Sequence, residues 1–128
     1  MLADAPLHAD LAEGPPGGRA FWLTASDGVR IRIGHWPGAE GPAGGTVFMF
    51  PGRTEYVEKY GRLAGDLRAR GFGTVAVDWR GQGLADRLLP DPLVGHVARF
   101  SDYQHDVRAV VAAAETLALP KPWFLLAH

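Results

Sequence analysis

A chain of 128 residues with 47% hydrophobic and 21% charged side chains has the composition of one packed domain, or part of one, and not of a disordered segment. Its formal net charge of -1, without a run of five basic residues, leaves no electrostatic footprint for nucleic acid or an anionic membrane surface. With no cysteine, disulfide frameworks and thiolate metal sites are excluded, and a reducing, cytoplasmic compartment is expected.

From Met1 to Gly18 there is neither a basic start nor a continuous apolar run, so this stretch reads as neither a signal peptide nor a membrane anchor. It closes on Glu13-Gly14-Pro15-Pro16-Gly17-Gly18, which removes amide donors and adds backbone freedom, and residues 1–18 are expected to be a flexible leader to a folded part at 19–128. Phe21 to Thr24 and Val29 to Ile33 flank Ser26-Asp27-Gly28, predicting an antiparallel hairpin. Its second strand alternates apolar and charged residues and is expected to have one wet face. Trp36 to Gly45, rich in proline and glycine, is read as loop, and the wholly apolar Thr46-Val47-Phe48-Met49-Phe50 as a strand covered on both faces.

Beyond Pro51-Gly52-Arg53-Thr54-Glu55, the apolar residues Val57, Tyr60, Leu63, Ala64 and Leu67 recur at helical spacing, with Arg68 and Arg70 near the end and Gly71 past it. This predicts an amphipathic helix of about four turns. Gly73 to Asp78 is a second buried strand, parallel to the first by the strand-helix-strand order. A loop broken by Gly81, Gly83, Pro90, Pro92 and Gly95 leads to a helix opened by Ser101 and Gln104, spaced as a capping box, with Tyr103, Val107, Val110, Val111, Ala114 and Leu117 as its buried stripe. Pro120 and Pro122 stop that helix and launch a third parallel strand, in the apolar stretch Lys121 to His128. The fold class is α/β: an antiparallel hairpin followed by three parallel strands with two intervening helices.

In such sheets the ligand site lies beyond the carboxyl ends of the strands, where this chain places Pro51-Gly52-Arg53-Thr54-Glu55, then Asp78-Trp79-Arg80-Gly81-Gln82-Gly83, then Ala127-His128. Gly52 allows a turn that aims the Arg53 amide into a cleft, where it suits an oxyanion; a plain strand-to-helix turn fits the same residues. Glu55 is read more readily as a helix-start carboxylate than as a hydrogen-bond partner behind that turn, and Asp78 as a structural partner of Arg80 or of the glycine turn. Leu88, Leu89, Leu93 and Val94 fit an acyl pocket and a packed loop equally well. His96, His105 and Asp106 have no ligand spacing, so no metal is expected. A nucleotide-binding domain fits poorly, because Asp86 holds the third glycine position after Gly81 and Gly83 and no G-K-[ST] occurs.

In order and spacing, Phe50-Pro51-Gly52-Arg53-Thr54-Glu55-Tyr56, Asp78-Trp79-Arg80-Gly81-Gln82-Gly83, Gly95-His96-Val97 with Phe100-Ser101-Asp102-Tyr103, and Phe124-Leu125-Leu126-Ala127-His128 resemble the α/β-hydrolase fold, and within it the lysophospholipase and monoacylglycerol lipase group. The Pro-Gly-Arg form and the Gly-His-Val piece lean toward lysophospholipases. The resemblance implies a sheet order of 1-2-4-3-5 for these strands and makes the chain the N-terminal half of the fold. It places Ala127 and His128 directly before the serine of a nucleophile elbow, with the catalytic acid and histidine later still, so that His128 is not the catalytic histidine. Arg53 would supply a backbone amide to the oxyanion hole, on a turn allowed by Gly52.

The expected function is serine-dependent hydrolysis of carboxylic esters of lysophospholipids or monoacylglycerols, without metal or cofactor. The alternatives are another hydrolase of the fold, an esterase or peptidase, and a non-catalytic binding module. The expected partners are a second polypeptide or the C-terminal remainder of the same hydrolase, and a small lipid or ester. No transmembrane segment is expected, contact with a membrane surface stays open, and residues 1–128 are not expected to fold stably alone, because the last strand would be an uncovered apolar edge.

Overall fold

The computed structural model describes residues 2–40 and 44–128, so the expected loop positions Gly41 and Pro42 lie outside the described residues. Six strands form one mixed sheet: β1 (Ala3–Ala5), β2 (Arg19–Thr24), β3 (Arg30–Trp36), β4 (Gly45–Phe50), β5 (Phe72–Asp78) and β6 (Trp123–Ala127), in the order β1-β2-β3-β5-β4-β6. Pairing is antiparallel from β1 to β5 and parallel for β5-β4-β6. Without β1, this is the 1-2-4-3-5 order implied by the family resemblance.

Each face of the sheet has its own core. Phe21, Ile31, Ile33, Phe48, Val75 and Val77 point to the side packed by Val110, Ala113 and Ala114 of helix α3 (Tyr103–Thr116). Trp36, Met49 and Ala76 point to the other, closed by Val57 and by Ala64 of helix α2 (Gly61–Ala69). Alternating side chains of one strand therefore feed both layers, the arrangement that parallel sheets require. Gly34 makes one approach possible: a Cβ there would lie 2.2 Å from Val57 Cγ1.

Several expectations change. Residues 3–12 are not a frayed leader. Ala3, Asp4 and Ala5 pair with Trp22, Phe21 and Ala20, while Leu7 and Ala12 pack with Trp36, Ala12 from the short helix α1 (Ala9–Ala12). The proline and glycine cluster at 14–18 is a connector between two ordered pieces. The expected wet face of the second hairpin strand is confined to its start: Arg30 is exposed, but Arg32 is fully buried, because the N-terminal segment and the 3-10 turn at Val57–Tyr60 cover it. That 3-10 turn replaces the first turn of the expected helix.

At α3 the Asp102 carboxylate accepts the Arg99 amide, and the Ser101–Gln104 capping box does not form. Val111 is exposed, whereas Ala113 and the carboxylate of Asp106 are buried. The helix is rotated from the expected stripe because Asp106 must reach Arg80. On β6, Phe124, Leu125 and Leu126 are exposed along the sheet edge, as expected.

Candidate functional site

Three segments meet where β4, β5 and β6 end: the turn 51–55, the loop 78–84, and Ala127-His128. The His128 amide donates to Phe50 O at 3.1 Å, which fixes the end of β6 beside the turn. A Cβ on Gly52 would lie 3.2 Å from Glu55 Oε1 and 3.3 Å from His128 Nδ1, a tight fit that one of them would have to relieve by a few tenths of an ångström.

Glu55 organises the turn from behind. Its Oε1 accepts the Gly52 amide at 2.6 Å and the Tyr60 hydroxyl at 2.8 Å, and lies 3.2 Å from His128 Nδ1, while Oε2 pairs with Lys59. These partners, the Lys59 ammonium first, hold the buried carboxyl at about 2, well below the usual range. Burial and the neighbouring carboxylate push Tyr60 up to about 12. Glu55 therefore does what the sequence reading ranked second, tying down the turn. The signals were Lys59 one helical turn on and Tyr60 one residue further.

With the Gly52 amide taken by Glu55 and the Thr54 amide by Gln82 Oε1 at 2.8 Å, the amide between them, that of Arg53, makes no hydrogen bond among the described residues. Thr54 has φ +63°, a left-handed conformation unusual for a branched residue and costing on the order of 1–3 kcal/mol. The Gln82 bond secures that conformation.

The loop after β5 is built on Asp78. Its carboxylate, fully buried, accepts Arg32 Nε at 2.7 Å, the Val57 amide at 2.8 Å and the Leu84 amide at 2.9 Å. Burial pushes this carboxyl up against the pull of Arg32 and the two amides. Gly83 adopts φ +49° and faces Asp78 so closely that a Cβ would lie 2.2 Å from Asp78 Cγ. Asp78 thus orients the glycine turn, not Arg80. Arg80 pairs instead with Asp106 at 2.8 Å and with Asp27 at 2.7 Å, and these carboxylates outweigh the burial that opposes its charge.

The turn opens into a cavity of about 430 Å³ that takes in Gly52, Arg53, Ala127 and His128, all four residues singled out from the sequence. Phe50, Trp79, Phe100 and Tyr103 give it aromatic walls. Trp79 is steered by its indole N–H, which donates to Pro51 O at 2.9 Å, and by edge-on contacts with Phe50 and Tyr103. The sequence reading assigned no role to Trp79 or Gln82, although both lie inside the motif it isolated. Leu93 is exposed and lines a separate cleft near Arg87, so it does not join this cavity. His105 contacts Ser26, and among the described residues no group of three His, Asp or Glu is placed to hold a metal. Among those residues, no helix is long and apolar enough to cross a membrane.

The arrangement leaves one unengaged amide in a turn that lines a largely apolar cavity, near the residue that ends the third parallel strand. Comparison with known proteins bears on the family and the fold. The sequence profile described as serine aminopeptidase, S33, matches residues 41–128. Lysophospholipase L2 of Escherichia coli strain K12 is 45% identical over 85 residues, 64% of this chain but 24% of that protein. The probable lysophospholipase L2 of Haemophilus influenzae is 26% identical over 107 residues, 84% of this chain and 34% of that protein. Among solved structures, a soluble variant of monoglyceride lipase from Saccharomyces cerevisiae, bound to a substrate analogue, superposes with a TM-score of 0.60 at 24% identity, covering 83% of this chain and 34% of that one. The match thus spans a quarter to a third of these longer proteins, and the last of them shows the shared fold.

Proposed function

Because the chain belongs to the serine aminopeptidase S33 family of α/β-hydrolases, we propose that it supplies the oxyanion turn and nucleophile-bearing strand of a serine-dependent carboxylic ester hydrolase acting on lysophospholipids or monoacylglycerols. The observation that carries this reading is the unengaged Arg53 amide, held between two amides that Glu55 and Gln82 occupy, at the cavity that His128 also lines.

In the proposed reaction a serine following His128 attacks the ester carbonyl, its proton passing to a histidine. Charge developing on the carbonyl oxygen is met by the Arg53 amide and by the amide after the serine. The alcohol leaves with that proton, and water then releases the fatty acid from the acyl-serine. The aromatic walls would hold the acyl chain. Serine, acid and histidine would come from a continuation of the chain or from a second polypeptide. Contact with a cytoplasmic membrane surface belongs to the same proposal and is tested by cell fractionation.

Denaturing mass spectrometry with and without a fluorophosphonate tests the mechanism. The expected result is a probe adduct on a serine following Ala127-His128, with release of fatty acid from a lysophospholipid. Absence of any adduct in material that carries the complete domain would overturn it. The family description favours a second reading, a peptidase. Turnover of an aminoacyl arylamide in place of the lipid esters would establish that one instead.

A further inference from the structure

Arg53 lines the cavity whose oxyanion its own amide would hold, and its exposed guanidinium reaches the rim shared with the neighbouring cleft that Gly95 lines. Its Nη2 donates to Gly95 O at 2.7 Å, which anchors one corner of the guanidinium plane. The remaining guanidinium donors have no partner among the described residues, whereas Arg87 shows what a structural arginine does in the same loop region. There Nε, Nη1 and Nη2 each donate to a carbonyl, of Pro92, Ala85 and Gly83. The buried arginines Arg32 and Arg80 are each matched by two carboxylates, while Arg53 pairs with none among the described residues.

The lining of the cavity contains no Asp or Glu, and Arg53 is its one permanent charge. The nearest acidic group behind the turn, Glu55, is already matched by Lys59, Tyr60 and the Gly52 amide. A planar fork with free donors, at an aromatic cavity without carboxylates, is suited to a phosphate oxygen pair. A lysophospholipid carries its ester carbonyl and its phosphate on one glycerol backbone, so a residue offering both an amide and a guanidinium has a partner for each.

Resting on the ester-hydrolase reading above, we propose that Arg53 is a specificity-determining residue that recognises the phosphate of a glycerophosphate ester, selecting lysophospholipids over uncharged monoacylglycerols. Gly95 O and the turn hold the guanidinium in register with the ester.

The test compares 1-oleoyl lysophosphatidylcholine with 1-oleoylglycerol in a polypeptide carrying this segment and the rest of the hydrolase domain. Arg53→Gln keeps the backbone amide and removes the fork. The expected result is a fall of at least tenfold in the ratio of kcat/KM for the phospholipid to that for the glyceride, borne mainly by KM. Arg53→Lys, which keeps the charge without the fork, should recover part of it. Glycerol 3-phosphate should inhibit the unsubstituted enzyme more strongly than glycerol does, and lose that advantage in Arg53→Gln.

An unchanged ratio together with equal inhibition by the two polyols overturns the phosphate assignment while leaving the hydrolase reading intact. Hydrolysis of neither ester overturns that reading. In that case Arg53-dependent binding of glycerol 3-phosphate, followed by calorimetry, upholds the anion site, and its absence removes it.

Discussion

Arg32 and Arg80 are both buried and both matched by two carboxylates, yet they hold different things. Arg32, Asp78 and Glu58 are each no more than 4% exposed, and the two acids also accept the amides of His8, Val57 and Leu84. That cluster joins the N-terminal segment, β3, the start of the 3-10 turn and the glycine loop at one point. Arg80 links the loop to α3 through Asp106, but its other partner, Asp27, is 33% exposed on the hairpin turn. Water can replace Asp27; nothing can replace Asp78. The difference shows that the worth of a buried ion pair depends on how many backbone groups would be orphaned with it.

The comparison can be broken by mutation. Arg32→Ala should cost about 3–5 kcal/mol, because two carboxylates lose their cation without access to solvent. Arg80→Ala should cost about 2–3 kcal/mol, since Asp27 can turn to water, and Asp27→Asn less than about 1 kcal/mol. Denaturant midpoints of the whole domain decide this, and equal losses at Arg32 and Arg80 would show that solvent access to one partner is irrelevant.

Smaller effects sharpen the contrast at the turn. Gln82→Leu should cost about 1 kcal/mol, because the Thr54 amide loses its acceptor, and should lower kcat more than it raises KM. Steady-state kinetics beside a melting curve would separate the two effects, and a change confined to KM would place Gln82 in binding instead. The smallest effect is on acidification. Glu55 is depressed from 4.5 to about 2, so its contribution is complete above 4.5 and lost as pH falls from 4.5 toward 2. The protection of the Gly52 amide, its exchange rate taken relative to the intrinsic rate at each pH, should fall across that window, and the Glu55→Gln variant should show no such change.

Much of this layout was legible in the sequence because its signals are local. Apolar runs at Thr46–Phe50 and Gly73–Asp78 gave the buried parallel strands, and the turn residues Gly52 and Arg53 and the strand end Ala127-His128 do line one cavity. What escaped depends on partners far along the chain. The order of residues 3–12 rests on pairing with β2 and on the His8 amide reaching Glu58, 50 positions away. The charged residue at Arg32 imitates a solvent-facing strand, since alternation alone cannot tell a wet face from a buried ionic one. Asp106, which the sequence brings up only beside His96 and His105 as a metal candidate without ligand spacing, is the buried partner of Arg80, a role that no local pattern announces.

The two margins of the sheet differ in character. β1 is three residues long and carries Asp4, a charge that discourages a further strand, whereas β6 presents Phe124, Leu125 and Leu126 along an unpaired row of backbone groups. A strand laid against β6 in parallel would end beside the cavity that Ala127 and His128 line, so order at this margin and the shape of the site are linked.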